Sequence, residues 1–390
     1  MINKYAAALY GALLVCLASC AGLNPNQADF ALAHRDKVKF LSSFPPENRA
    51  AVLSGDGVIR IWDITNGQLV REITPDRDET AVFMIYGRHG IVVWYQKTNV
   101  LTFFPTEGFV QSTTMGKSMG GNTVRNVACS LDGKYLVYDV IDYDSTSDTD
   151  WDSNRSSTTR STETVKTTTT RYKYSGKLHC VDVENNKWLF EISLPYTSST
   201  NVSRSTEYEY GSGLDKDSNT SFSSYGSIVS VTSIAIDPNF GTIACGFSDG
   251  TIRLYDTKER NPQKQKKFEA HDQPVTALAF SPDGAYLLSG DERGFLRQWK
   301  KKGDPSEWSR SGQLRMHGKV LSISFSPDGK TLSIKDGSGT FRIVNFMNGK
   351  EIRAIRGGGL IDSVWFRSDN RIAALGIKGN SVFVWDLGVF

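Results

Sequence analysis

Several residues in this chain stand at spacings that support catalysis or ligand binding elsewhere. The run Gly246-Phe247-Ser248-Asp249-Gly250 has the Gly-x-Ser-x-Gly spacing of a nucleophile elbow, in which a strand-to-helix turn exposes a reactive serine. Here the run leads directly into the strand-forming stretch Thr251-Ile252-Arg253-Leu254-Tyr255. It therefore predicts a hairpin turn between two strands, and we expect no serine nucleophile at this position.

A second candidate is a cation site. Asp148, Asp150 and Asp152 have the alternate spacing that begins a calcium-binding loop. Such a loop needs a glycine and a bidentate glutamate further on, but Ser153 and Thr159 stand at those positions. We therefore expect no metal, and with no other catalytic spacing in the chain we expect neither a catalytic site nor a cofactor.

Cys20 is the candidate for covalent modification. An apolar stretch over 5–17 is too short to span a bilayer and long enough for a signal-peptide core. It ends in Leu17-Ala18-Ser19-Cys20, which resembles the bacterial lipobox, where the cysteine thiol receives a diacylglyceryl group before cleavage. We expect residues 1–19 to be a signal peptide and residues 20–26 the lipidated cysteine and a short tether. The alternative is an ordinary cleaved signal in which Cys20 has no role.

The residue after Cys20 indicates a location. It is Ala21 and not Asp, which by the same resemblance favours the outer membrane of a bacterium with two membranes, on its periplasmic side. Cys129, Cys180 and Cys245 each lie within an apolar stretch, and their odd number and wide spacing argue against a full disulfide set and against zinc. The alternative is one disulfide among them. With a net charge of +3, the composition gives no support to a nucleic-acid partner.

A unit of about forty residues recurs seven times, and it must position the candidate residues that follow Cys20. The clearest copy has three apolar, strand-length runs, and the turn Phe280-Ser281-Pro282-Asp283-Gly284 joins the first two. The same five residues return at 325–329. Proline presets φ and glycine tolerates a positive φ, so this phrase predicts a tight antiparallel link. A second repeated turn, Thr65-Asn66-Gly67, suits a hairpin to a fourth strand.

The runs that end units, such as Val58-Ile59-Arg60-Ile61-Trp62-Asp63, resemble the WD-repeat family of β-propellers, and the resemblance covers nearly the whole chain after residue 26. It implies an all-β fold: a seven-bladed propeller of four-stranded antiparallel blades over 27–390. The last unit has only three strands, so we expect residues 27–33 to supply its outer strand and close the ring. We place the repeats at 34–73, 74–115, 116–199, 200–270, 271–316, 317–357 and 358–390.

The resemblance also implies a role for the histidines. In the WD-repeat family, a histidine before a blade's first strand joins a buried hydrogen-bond network with a Ser or Thr, an Asp and the Trp of the third strand. The matching residues are His34, Asp56 and Trp62 in the first blade and His271, Ser289 and Trp299 in the fifth. Arg293 stands at the Asp position of the fifth blade. We therefore expect the more complete network in the first blade, and a structural role for all six residues.

Two insertions exceed the repeat length, at about 142–172 within the third unit and about 196–226 before the fourth. The first has aspartates on its incoming arm and Arg and Lys on a Thr-rich outgoing arm, which predicts a protruding hairpin that turns near Ser153-Asn154. The second carries tyrosines among Ser, Thr and Gly, a composition that suits recognition loops. The alternative is that both are solvated loops without a partner.

Strand alternation places both insertions on one face of the ring and the start of the closing strand on the opposite face. A lipid on Cys20 is then expected to hold that opposite face near the membrane. Lysines at 300–302 and basic residues at 258–267 lie there, where they either meet anionic headgroups or form a solvated charge run.

These features predict a non-catalytic, lipid-anchored scaffold of the bacterial envelope that binds protein partners and no nucleic acid. We expect the insertion-bearing face to be the binding site, because aromatic and Arg side chains dominate interface energetics. The candidate anchors are Tyr143, Trp151, Arg160, Tyr172, Tyr208 and Tyr210. The alternatives are a propeller enzyme or small-ligand binder that uses the central channel on that face, and a structural subunit of a larger envelope assembly.

Overall fold

The computed structural model describes residues 23, 28–44, 47–75, 81–87, 90–95, 100–105, 113–115, 123–130, 132–155, 161–185, 187–194, 197–210, 213–215, 221–225, 229–258, 265–302, 307–356 and 360–388. In the insertions after residue 140, side chains are described at 146–150 and 167–170 and only the backbone elsewhere. No helix in these ranges has the length and apolar character needed to cross a membrane.

The strands form seven antiparallel sheets arranged as a seven-bladed β-propeller, which confirms the predicted fold class. Blade 1 contains β2 (Val38–Phe44), β3 (Arg49–Ser54), β4 (Ile59–Asp63) and β5 (Leu69–Ile73). Blade 2 contains β6 (Ala81–Gly87), β7 (Gly90–Tyr95), β8 (Val100–Pro105) and β9 (Thr113–Met115). Blade 3 contains β10 (Thr123–Cys129), β11 (Tyr135–Arg155), β12 (Ser161–Asp182) and β13 (Lys187–Ser193), extended by β14 (Thr197–Tyr210), β15 (Gly213–Asp215) and β16 (Ser221–Tyr225).

The second half of the ring is more regular. Blade 4 contains β17 (Val231–Ile236), β18 (Thr242–Phe247), β19 (Thr251–Asp256) and β20 (Lys266–Glu269). Blade 5 contains β21 (Val275–Phe280), β22 (Tyr286–Asp291), β23 (Phe295–Lys301) and β24 (Trp308–Arg315). Blade 6 contains β25 (Val320–Phe325), β26 (Thr331–Asp336), β27 (Phe341–Asn345) and β28 (Glu351–Ile355). Blade 7 contains β29 (Ile361–Phe366), β30 (Ile372–Lys378), β31 (Ser381–Asp386) and β1 (Phe30–Ala33).

The ring closes through its amino-terminal strand, as predicted. β1 pairs antiparallel with β31, from Phe30 opposite Val384 to Ala33 opposite Ser381. The strand is shorter than the predicted range of 27–33. Its pairing covers the edge of β31 and joins the two ends of the ring.

Apolar side chains between the blades hold the ring together. The described core divides into seven clusters, and each cluster joins one pair of neighbouring blades. In β3, Ala51 and Leu53 pack toward blade 2, whereas Ala50 and Val52 pack toward blade 7. The inner strands are therefore buried on both faces, which is why they read as continuous apolar runs instead of alternating ones.

The repeated Ser-Pro-Asp-Gly turn is fixed by its own side chains. Ser281 Oγ donates to Asp283 Oδ1 at 2.5 Å, and the backbone N of Ala285 donates to the same oxygen at 3.0 Å. Gly284 has φ +70°, a left-handed conformation that favours glycine. Equivalent serine–aspartate bonds of 2.6 Å form at 130–132 and 326–328. The turn therefore links the first and second strands in three blades by the same local bonds.

The two insertions form one sheet. β11 and β12 make a long hairpin, and Ser153 and Asn154 still pair with Thr164 and Glu163 within it. The predicted turn near Ser153-Asn154 was therefore wrong, because both residues lie within paired strands. β14 from the second insertion pairs with β12 along 161–174, so β12 has a strand on each side. Long-range pairing between the insertions was not visible in either segment alone.

Of the predicted signal peptide and tether, only Leu23 lies within the described residues, and Cys20 lies outside them. The backbone N of Asp29 donates to Val384 O at 2.8 Å, on the face opposite the insertions, as expected. The backbone N of Leu23, however, donates to Arg356 O at 3.1 Å, just after β28 ends at the insertion-bearing face. Leu23 also packs against the core between blades 6 and 7. Leu23 and Asp29 therefore lie at opposite faces of the ring.

Candidate functional site

The surface that most distinguishes this propeller is the insertion sheet, which we define as residues 142–155, 161–175, 197–210, 213–215 and 221–225. It continues the second and third strands of blade 3 beyond the ring, within a seven-stranded sheet. At about 3.3 Å per residue, the part of β11 from Asp142 to Arg155 extends roughly 45 Å. The insertion sheet is thus a large projection on one face of a compact ring.

Five of the six predicted anchor residues lie in this sheet. Tyr143 is opposite Tyr174 and Trp151 is opposite Lys166. Tyr172 stands between Ser145 and Ser199, while Tyr208 and Tyr210 pair with Glu163 and Ser161. Arg160 lies outside the described residues. The backbone thus brings residues of both insertions into one surface, and their role in binding stays a prediction.

Hydroxyl pairs hold the register in the middle of the hairpin. Ser147 Oγ and Thr170 Oγ1 are 2.9 Å apart, and Thr149 Oγ1 and Thr168 Oγ1 are 3.3 Å apart. Residues 146–150 are exposed and residues 167–170 are half-buried. Cross-strand pairs of this kind stabilise a two-stranded contact by a few tenths of a kcal/mol each. This part of the projection therefore has defined pairing and a polar, solvent-exposed β11.

The histidine network forms in blade 5. His271 Nε2 lies 2.7 Å from Ser289 Oγ, and His271 Nδ1 lies 3.1 Å from Asp291 Oδ2. The indole N of Trp299 donates to Ser289 Oγ at 2.9 Å. Burial lowers the pKa of His271. With a neutral ring, the three hydrogen bonds have one consistent direction. Trp299 donates to Ser289, Ser289 donates to His271, and His271 donates to Asp291. Asp291 thus fills the place in the network that an Asp takes in the family. The sequence pattern indicated position 293 for that residue, where Arg stands.

In blade 1 the corresponding network does not form. Both ring nitrogens of His34 and the indole N of Trp62 are buried without a hydrogen-bond partner. Val52 occupies the register position of Ser289, since each is opposite the third-strand arginine, so no hydroxyl lies between the two rings. Asp56 instead pairs with Arg60, whose Nη2 lies 2.8 Å from Asp56 Oδ2. The expectation that blade 1 has the more complete network was therefore wrong.

The Ser289, His271 and Asp291 arrangement has the connectivity of a hydrolase triad, but it cannot act as one. Ser289 is fully buried, and its oxygen already accepts a bond from the Trp299 indole. A nucleophile needs access to a substrate carbonyl. The Gly246–Gly250 run, as predicted, is the turn between β18 and β19. Both serines are therefore structural in this fold.

Buried histidines predict that the fold loses stability in acid. Burial lowers the pKa of His34 to about 4, and Arg60 adds to this effect while Asp56 opposes it. Burial also lowers the pKa of His179 to about 4. The unfolded chain, with histidine pKa values near 6.5, then binds more protons, so stability is full above about pH 6.5 and falls as the pH approaches 4. Thermal unfolding at several pH values should show this decline, and it should be shallower in a His34→Leu variant.

A cavity of about 590 Å³ lies at one end of the central channel, where the first strands of blades 3 to 7 end. Those ends lead into the turns between first and second strands, on the face opposite the insertion sheet. The described lining residues are apolar or small, among them Ile234, Leu278, Phe280 and Ile323, and none is charged or a histidine. The wall thus supplies no general acid or base, and it lies at the other end of the channel from the one expected for a ligand site.

Three cysteines lie in the described part of the chain, and each is partly or fully buried. Cys129, Cys180 and Cys245 are free, which excludes the alternative of a disulfide among them. Burial raises the pKa of Cys129 and of Cys180 to about 12, so both stay protonated at neutral pH. Across the described ranges, no group of three His, Cys, Asp or Glu side chains is arranged to hold a metal ion.

Two of the basic residues predicted on the face opposite the insertions, Lys267 and Lys301, have partners within the protein. Lys301 Nζ lies 3.7 Å from the buried carboxylate of Asp237 and over the ring of Trp308, and Lys267 Nζ lies 3.1 Å from Glu269. Both side chains therefore have intramolecular contacts, and the contact of this face with a membrane stays a prediction.

Comparison with known proteins identifies the repeat type. Residues 219–256 and 262–300 match the family "WD domain, G-beta repeat". The chain is 31% identical over 132 residues to "Periodic tryptophan protein 2 homolog" of Schizosaccharomyces pombe, which is 33% of this chain and 15% of that protein. It is 30% identical over 115 residues to "Protein LST8 homolog" of Drosophila melanogaster, which is 28% of this chain and 36% of that protein.

A third relative is "WD repeat-containing protein 75" of Danio rerio, 34% identical over 102 residues, or 25% of this chain and 12% of that protein. All three come from eukaryotes, and the chain spans only a small part of each. The two segments that match the family cover β16 to β19 and β20 to β23, so the first also includes the last strand of the insertion sheet. The chain is therefore a seven-bladed β-propeller whose fourth and fifth blades carry WD repeats.

Proposed function

We propose that this protein is a lipid-anchored scaffold of the bacterial cell envelope that binds a protein partner through the insertion sheet. The observation that carries the proposal is the joining of two separate insertions into one sheet on blade 3. A regular WD-repeat ring closes without these strands, because six other blades need only four strands each. The added strands therefore provide surface that the ring itself does not require.

The described middle of the insertion sheet is well suited to contact with a partner. Its exposed residues are Ser, Thr and Asp, while the hydroxyl pairs between β11 and β12 hold their backbone in a defined position. A preorganised surface loses less conformational entropy on binding than a loop that must first become ordered. Tyr143, Trp151, Tyr172, Tyr208 and Tyr210 are in the same strands and are the proposed apolar anchors.

The lipid anchor is proposed from Leu17-Ala18-Ser19-Cys20, and the position of Leu23 supports an orientation. Leu23 is only three positions after Cys20, a reach of roughly 10 Å when extended. Because Leu23 lies at the insertion-bearing face, an acylated Cys20 would bring that face toward the outer membrane. The proposed partner is then a protein in or at the same membrane.

The test compares three proteins in envelope fractions: the intact chain, a variant with 145–170 and 198–224 replaced by short Gly-Ser links, and Cys20→Ala. Chemical crosslinking detects the bound partner in each fraction. We expect the link variant to stay in the membrane fraction but to form no crosslink to the partner of the intact chain. We expect Cys20→Ala to leave the membrane fraction, because no acyl chains hold it.

A double variant on the opposite face, Lys300→Ser with Lys302→Ser, is the control and should keep the partner. Circular dichroism of each purified protein must show an intact β fold. A link variant that folds and keeps the same partner would overturn the insertion sheet as the binding surface. Membrane retention of Cys20→Ala would overturn the anchor.

A further inference from the structure

Among the described strands, one edge of the insertion sheet has no neighbour. β10 pairs with β11 only as far as Ile141, while β12 pairs with the other side of β11 as far as Arg155. Within the described ranges, no other strand pairs with β11 from Asp142 to Arg155. Every second residue of this stretch then directs its backbone N–H and C=O away from the sheet. The result is roughly 45 Å of backbone donors and acceptors along one exposed edge.

The opposite edge of the same sheet is covered by the chain itself. β16 pairs with β14 from Thr200 to Arg204, and β15 pairs with it from Tyr208 to Tyr210. The second insertion therefore returns twice along β14. In the described part of the chain, no comparable strand pairs with the outer edge of β11. The second insertion therefore covers one edge of the sheet and leaves the other edge open.

Charge along the open edge favours one kind of occupant. Between Asp142 and Arg155 there are five aspartates, all at even positions, and Arg155 is the one basic residue. Asp148 and Asp150 are exposed. Successive residues of a strand alternate between its faces, so even positions share a face, while Ser147 and Thr149 on the other face bond to β12. A second copy of this chain would bring the same negative charge to the pairing, and like charges opposite each other are destabilising.

We propose that an extended basic segment of a partner protein adds to this edge as a further strand, alongside Asp142 to Arg155. Backbone hydrogen bonds along β11 supply the affinity, and Lys or Arg at alternate positions of the segment meet the aspartates on the even face. The inference rests on the proposed function, and it names the chemistry and the binding mode of the partner. The occupant is a polypeptide strand, since only a backbone matches the repeat of donors along the edge.

The probe is a synthetic peptide of about twelve residues in which Lys and Thr alternate, measured by isothermal titration calorimetry against the full propeller at low salt. Two control peptides carry N-methyl groups, one on every Lys amide and one on every Thr amide. Both keep the charge of the parent. In an added strand, either the Lys amides or the Thr amides face β11, and the other set faces away. We therefore expect the peptide methylated on the facing amides to bind at least about tenfold more weakly than the parent, and the other methylated peptide to bind like the parent.

Two further readouts locate the contact. Hydrogen exchange should slow at alternate amides of β11 between Asp144 and Asn154 when the parent peptide is added. Asp148→Asn with Asp150→Asn should weaken binding about threefold to tenfold, whereas Asp132→Asn, in the turn before β11, should not change it. Equal binding by all three peptides, or no gain in protection along β11, would show simple charge attraction and overturn the proposal.

The outcome separates this inference from the proposed function. If the peptide fails to bind but the Gly-Ser link variant still loses its envelope partner, the insertion sheet remains the binding surface and strand addition is wrong. If the peptide binds along β11 but the link variant keeps its partner, the edge can accept a strand and the proposed function is wrong.

Discussion

Replacing Gly294 by alanine is expected to destabilise the propeller by roughly 3–4 kcal/mol. Gly294 lies in the turn between β22 and β23 with φ +89°, which strains any L side chain by about 1 kcal/mol. A Cβ there would also overlap the carbonyl oxygen of Gly318, in the link to blade 6. Gly294 O accepts a bond of 2.7 Å from the Met316 N in that link, so the backbone cannot withdraw without breaking it. The change in urea midpoint measures the cost.

The same turn in other blades supplies matched controls. Gly57 in blade 1 and Gly339 in blade 6 have φ +78° and +76°, but nothing lies within 4 Å of a Cβ built on either. Their alanine variants should lose only about 1 kcal/mol, from backbone strain alone. Gly250 in blade 4 would meet the backbone of His271 and should behave like Gly294. Equal losses at all four positions would mean that contact with the next link contributes nothing.

Replacing His271 by leucine is expected to cost about 2–4 kcal/mol. The variant removes the donor to Asp291 and the acceptor for the Ser289 hydroxyl. Both partners are buried, and Asp291 then keeps the backbone N of Phe295 as a donor. A buried polar group left without a partner costs about 1–3 kcal/mol, and more if it is charged. Denaturant unfolding followed by tryptophan fluorescence would measure the loss.

His34→Leu in blade 1 is the matched control. Its ring nitrogens have no hydrogen-bond partner, so leucine removes two buried, unsatisfied atoms while it keeps the contact with Trp62. We expect a change within about 1 kcal/mol, in either direction. A loss as large as that of His271→Leu would contradict the role assigned to the network and point to simple packing of the histidine ring.

Much of the fold was predictable because its signals are local. The Ser-Pro-Asp-Gly phrase determines a turn through bonds between residues two to five positions apart, as at Ser281 and Asp283. Apolar runs bounded by such turns indicated the strands, and a last unit with three runs indicated that β1 completes blade 7. These features depend on short stretches of chain, and each stretch carries its own information.

The errors came where contacts made in the folded protein decide the outcome. Arg293 stands at the family's Asp position, but Asp291, two residues earlier, is the side chain that reaches His271. In blade 1 the three expected residues are present, yet Val52 on the neighbouring strand removes the hydroxyl that would join them. The position of Leu23 depends on a groove between blades 6 and 7, more than 300 residues away along the chain.

The sequence by itself determined seven repeats, the strand and turn pattern within them, the closing strand, and two insertions on one face. Only the tertiary structure decided that the insertions pair with each other, that no other described strand covers the outer edge of β11, and that the cavity opens on the opposite face. The physical reason is that turns and strand periodicity arise from neighbouring residues. Strand partners, buried hydrogen bonds and cavities arise from which surfaces meet when the ring closes.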